Sequence, residues 1–172
     1  MKKWIIAVLM GITIFLTMSV AAWADFAEGL KAYESRDYAT ALRLLKADGG
    51  PDSCYVLGIM YYKGEGVTAD KAEAVKWLRK AADKGNVRAQ YNLGMMYDKG
   101  DGVPQSLKEA ANWYRKAAEN GHVQSQFNLG LMYTNGEGVP KDRKEAVKWL
   151  RKAAKKGHVN ARKLLDVMGE KY

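Results

Sequence analysis

The 172-residue sequence holds one cysteine, three prolines and two histidines. A single thiol, Cys54, excludes an intrachain disulfide framework, so stability has to come from packing. Cys54 itself is expected as a small, half-buried helix residue rather than a reactive one. The two histidines, His122 and His158, lack Cys, His or carboxylate neighbours at ligand spacing, which argues against a metal centre, and no cofactor motif is present. No nucleophile elbow, phosphate loop or Ser/His/Asp set occurs either, so the chain reads as a non-enzyme. The "GEG" and "GDG" triplets are turn glycines, because no strand precedes them.

Long apolar runs are almost as scarce. The one example is Trp4 to Val20, preceded by Lys2 and Lys3 and followed by "AWA" at Ala22–Ala24. This pattern predicts a secretory signal over residues 1–24, cleaved before Asp25. The alternative is an uncleaved anchor, for which 17 residues are marginally long enough. Export to the periplasm or beyond is the expectation. No cysteine stands at the end of the run, so a lipoprotein anchor is not expected there. The whole chain carries a net charge of +9, or +7 once the two signal lysines are removed.

What the sequence has in abundance is repetition. "YNLGMMYDKGDGVP" (Tyr91–Pro104) returns as "FNLGLMYTNGEGVP" (Phe127–Pro140), and "YVLGIMYYKGEGVT" (Tyr55–Thr68) precedes both. The offset is 36 residues and no gap is needed. Leu57, Leu93 and Leu129 align, as do Gly58, Gly94 and Gly130, the tyrosines 61, 97 and 133, and the tryptophans 77, 113 and 149. Periods of this length mark stacked supersecondary units.

Each unit resolves into two helices. Helix A of the middle copy is predicted over Val87–Lys99, where Ala89, Leu93, Met96 and Tyr97 form one apolar stripe. Helix B is clearest at Asp70–Lys84, with Ala74, Val75, Leu78, Ala81 and Ala82 on one face and Trp77 on the flank, able to lid a seam. Gly100 and Gly121 suit left-handed cap positions, and Val103 can tuck inward. Gly94 lies inside helix A at a cost of about 1 kcal/mol relative to alanine. Its recurrence predicts a close helix approach, with the Ala-Ala pair of helix B facing the gap. His122 and His158, with Asn86 as their counterpart, are expected to begin successive helices A near the cap.

The segment "AQYNLGMMYDKGDGVPQSLKEAANWYRKAAENGH" resembles a Sel-1-like repeat, a longer relative of the tetratricopeptide repeat, and the resemblance fills its LG, Y, GxGV, KAA and G positions three times. The expected organisation is a tetratricopeptide-like helix pair at 25–52, repeats at 53–86, 87–122 and 123–158, and a C-terminal cap at 159–172 built on a helix over Val159–Met168. The resemblance implies an all-α, right-handed α-solenoid, with helices A lining a concave face and helices B a convex one. One cysteine-rich branch of the family is associated with penicillin binding and β-lactam hydrolysis. The cysteine pairs of that branch are missing here, which argues against this activity.

A solenoid of this kind implies binding of a protein or peptide, with function carried by side chains on a rigid surface. Asn92 and Asn128 precede the packed leucines and are expected to face the concave side, with Met95 and Leu131 one turn on. An asparagine at the matching position of peptide-binding tetratricopeptide domains holds ligand backbone through its amide, and these two resemble it. The alternative is a basic convex face of Lys76, Arg79, Lys80, Arg115, Lys116, Lys148, Arg151 and Lys152, with Lys84, Lys155 and Lys156 nearby, suited to an anionic glycan, peptidoglycan or lipid. Nucleic acid is not expected, since no aromatics are interleaved with these lysines for stacking.

Overall fold

The structure is a computed structural model that describes residues 25–171; the signal expected over residues 1–24 lies outside the described residues. The described residues form nine helices and no strand. α1 (25–34) and α2 (Tyr38–Asp48) make the first pair. α3 (Pro51–Lys63) and α4 (Lys71–Asp83), α5 (Val87–Lys99) and α6 (Leu107–Glu119), and α7 (Val123–Asn135) and α8 (Arg143–Lys155) make three longer ones, and α9 (Val159–Val167) ends the array. Consecutive helices pack on one another along the chain, giving an all-α solenoid of stacked hairpins.

Caps explain why the helices start and stop where they do. Asp70, Ser106 and Asp142 cap α4, α6 and α8, each side chain accepting a backbone N–H from the first turn. Helix B therefore spans Lys71–Asp83, with the expected ends Asp70 and Lys84 as its caps. Gly100 closes α5 in the left-handed region at φ 70°. Gly121 has φ 85° but stands one residue beyond the cap Asn120. Its N–H donates to Ala118 O at 3.0 Å while the His122 N–H donates to Ala117 O at 3.0 Å. This double closure is a Schellman turn.

The helix-interior glycines mark close approach, but not to the alanine pair. A Cβ on Gly58 would lie 2.7 Å from Leu78 Cγ, one on Gly94 2.5 Å from Tyr114 Cδ1, and one on Gly130 2.7 Å from Leu150 Cγ. The residue above each glycine is thus the central large side chain of helix B. The alanines Ala81, Ala82 and Ala89 pack instead with Leu93, in the seam between α4 and α5. A second set of glycines joins one repeat to the one before. A Cβ on Gly102 would meet the Lys71 carbonyl at 2.7 Å, and one on Gly138 would collide with the Leu107 carbonyl. The "GDG" and "GEG" loops, expected only as turns, are therefore stacking joints that rest on the start of the preceding helix B.

Trp77 packs both against the core around Ala41, Leu45 and Leu57 and against the core around Leu78, Leu93 and Trp113, the seam-covering role its flank position predicts. Val103 is packed against the core. Cys54 is more enclosed than expected: it is buried at 2% exposure, and burial pushes its thiol upward. At the far end α9 stops one residue short of the expected Met168, and its Ala161 and Leu165 are buried while Arg162, Lys163 and Asp166 are exposed. The following tail is bound down: Arg151 donates to Lys171 O at 2.6 Å and to Glu170 at 3.0 Å, and Arg143 reaches Glu170 at 3.1 Å.

Candidate functional site

The helices A of neighbouring repeats leave a groove of about 240 Å³ between α3 and α5. Its apolar lining is Ile59, Leu78, Met95 and Met96, and its polar lining includes Asn92 and Lys99. Two residues singled out in the sequence, Asn92 and Met95, are thus brought together on one surface. Asn92 is half-buried, and its side chain forms no hydrogen bond among the described residues. One end of the groove is bridged: the Tyr62 hydroxyl donates to Asp101 at 2.8 Å, and Lys71 pairs with the other oxygen of Asp101 at 2.7 Å. The hydrogen bond from Lys71, reinforced by that from Tyr62, holds the Asp101 carboxyl below its ordinary range. The same device occurs one repeat earlier, where Tyr33 donates to Glu65 at 2.7 Å.

Asn128 stands at the matching place on α7 but in different company. Its Oδ1 accepts from Gln124 Nε2 at 2.9 Å, and Gln124 Oε1 lies 3.2 Å from His158 Nε2. Asn128 and Asp98 also lie beside the hydroxyl of Tyr114. Tyr114 is 1% exposed, and burial pushes its phenol well above the ordinary range. It occupies the position of Leu78, so its larger ring fills the space between α5 and α7 that stays open between α3 and α5. Leu131 is half-buried on α7. Only the Asn92 half of the expected pair has its amide available.

The basic residues of helices B are largely engaged within the fold. Arg79 donates to the Tyr97 hydroxyl, and Arg115 to Tyr133 at 3.1 Å, so each arginine ties helix B to the next helix A. Arg151, which has Gly169 at the position equivalent to those tyrosines, takes the tail instead. Lys76 pairs with Glu73 and Lys148 with Glu145, both at 2.8 Å. Lys80, Lys116 and Lys152 each stand 4.0–4.1 Å from the ring centroid of the tryptophan three residues earlier, a cation–π geometry. The sequence counted these charges correctly but could not show that neighbours already hold most of them.

His122 and His158 are N-caps of α7 and α9, their Nδ1 atoms accepting from Ser125 N at 3.3 Å and Ala161 N at 3.2 Å. Their rings lie against Tyr91 and Phe127 at centroid distances of 4.5 and 4.3 Å. Among the described residues no cluster of three or more His, Cys, Asp or Glu could hold a metal ion, and no helix is long and apolar enough to cross a membrane. Sequence reasoning missed Gln90 and Gln126, which are buried and donate to Ala82 O at 3.2 Å and Ala118 O at 3.0 Å. Their one visible signal is a shared place in the repeat.

Stacked helical hairpins with a groove between successive first helices define a repeat solenoid. The Sel1 repeat family matches residues 51–86, 87–122 and 123–158. The chain belongs to this family, whose members are in general protein-interaction scaffolds. A Sel1 repeat protein from Oxalobacter formigenes is 37% identical with a TM-score of 0.74, over 79% of this chain and 57% of that one. The protective antigen c5321 of uropathogenic Escherichia coli, which displays an SLR fold, is also 37% identical, with a TM-score of 0.76 over 84% of this chain and 32% of that one. Helicobacter pylori cysteine rich protein B is 26% identical with a TM-score of 0.55, over 80% of this chain and 95% of that one. The chain spans about half of the first of these proteins and a third of the second. No curated protein matches the sequence.

Proposed function

We propose that the protein is a non-catalytic interaction scaffold of the bacterial cell envelope, exported by its N-terminal segment, that holds a protein partner in the groove between α3 and α5. The observation that carries this reading is the Asn92 amide, half-buried without a hydrogen-bond partner among the described residues, beside the apolar lining of Ile59 and Met95. An amide donates and accepts at once, as a peptide backbone requires of its receptor. The family supports a protein as the partner, and the bacterial sources of the similar structures support a bacterial setting.

A photo-crosslinking residue at position 59 tests the reading in the intact envelope. One discrete crosslinked partner, lost on Asn92→Ala, is the expected result. Crosslinks indifferent to Asn92, or lost instead when Lys148 and Lys152 are reversed in charge, would overturn it. The second outcome favours an anionic envelope ligand on helices B, a reading supported by Lys80, Lys116 and Lys152 recurring at the same height on their tryptophans. Lack of nitrocefin turnover is expected of a chain without the paired cysteines of the β-lactam-active branch.

A further inference from the structure

The groove is selective in what chemistry it offers along its length. Asn92 and Lys99 stand on the same helix, seven residues apart, which places them about 10 Å apart along the axis. Between them Met95 and Met96 present flexible, polarizable thioethers, a surface that accommodates branched aliphatic side chains. Lys99 is exposed and makes no hydrogen bond or ion pair among the described residues, while Lys63, its counterpart on α3, has only a 3.6 Å contact with Glu65. Asp101, the acid in the groove lining, is already paired with Lys71 at 2.7 Å. The bridged end of the groove therefore carries two lysines with little to balance them.

We infer that this groove takes an extended peptide segment bearing an aliphatic side chain and, about three residues further along, an acidic side chain. An extended chain rises about 3.3 Å per residue, so three residues match the axial spacing of Asn92 and Lys99 on α5. Asn92 holds the backbone, the methionines receive the aliphatic side chain, and Lys63 and Lys99 receive the carboxylate. Leu78 decides that this groove is open. Its counterpart Tyr114, buried at 1% exposure, puts a larger ring into the corresponding space between α5 and α7. This inference rests on the proposed function, since it names the class of partner for the same site.

The test uses the protein from residue 25 onward and an array of acetylated, amidated nine-residue peptides on a Gly-Ser background. Each carries one leucine and one glutamate at separations of one to six residues, and binding is read by fluorescence anisotropy. The expected optimum is a separation of three, with at least a tenfold loss when the glutamate becomes glutamine or when Lys63 and Lys99 both become alanine. Leu78→Tyr, which changes the floor and no exposed residue, should also lower binding at least tenfold while the helical circular dichroism is kept. Should Leu78→Tyr not fold, the lysine variant and the glutamine peptides still decide the matter. Equal binding of the glutamine peptides, or no dependence on separation, overturns the inference. If crosslinking at position 59 still depends on Asn92 in that event, the scaffold reading survives and only the ligand class is wrong.

Discussion

Gly94 lies directly beneath the ring of Tyr114: a Cβ added to the glycine would stand 2.5 Å from both Cδ1 and Cε1. Two helices approach this closely only because one of them contributes no side chain at the crossing. The ring is itself buried at 1% exposure, so it has little freedom to move aside.

Gly94→Leu should therefore destabilise the protein by overpacking, at about 1–3 kcal/mol. The loss should spread as reduced cooperativity, because each hairpin is supported only by its neighbours. Thermal melts followed by circular dichroism check this, and an unchanged melting curve would mean that the glycine does not sit at a helix contact.

Asn92 and Asn128 should separate in a stability assay. Asn128→Ala removes the acceptor of the Gln124 amide and should cost about 0.5–1.5 kcal/mol. Asn92→Ala removes no internal bond and should leave the urea midpoint where it was. Equal effects from the two substitutions would refute the difference between the two grooves.

Burial holds His122 below its ordinary value of 6.5. The folded state thus favours the neutral imidazole, whose Nδ1 accepts the Ser125 N–H. For a base with a depressed folded pKa, the unfolded chain binds more protons, so stability is full above 6.5 and falls as pH drops through that value. His122→Asn, which copies the natural cap Asn86, should keep the cap and flatten the stability profile between about pH 7.5 and 5.5. A profile of unchanged slope would assign the acid sensitivity elsewhere.

Processing before Asp25 is a separate expectation. Intact-mass measurement on the exported protein should show Asp25 as the first residue; a mass retaining residues 1 to 24 would make the chain a tethered protein.

Much of the architecture was legible because it is written three times. Leucines, glycines, tyrosines and tryptophans at a fixed offset define hairpins whatever the details of their packing. The contacts between hairpins were not legible in the same way. The chain's one-dimensional period does not say that Arg79 reaches Tyr97, or that Gly138 rests on Leu107, since both depend on the rotation between units. The site divided along the same line. Asn92 and Asn128 look identical in "YNLG" and "FNLG", and only the step from Leu78 to Tyr114 on another helix separates an open groove from a filled one. That step looks like an ordinary apolar exchange until the ring is seen against Gly94. The basic face was legible only in part for a related reason: charge is visible in a sequence, whereas its partners are not.

The capping residues Asn86, His122 and His158 have a consequence for how such a chain can change length. Each donates its backbone N–H in the closing bond of one helix and caps the next, so the junction contains no spare residue. An insertion of a few residues there would have to unseat two helix ends together. A duplication of one full 36-residue period restores both, together with the glycine joint and the arginine tie. The molecule is built like a threaded rod, tolerant of added whole turns and intolerant of fractions of one.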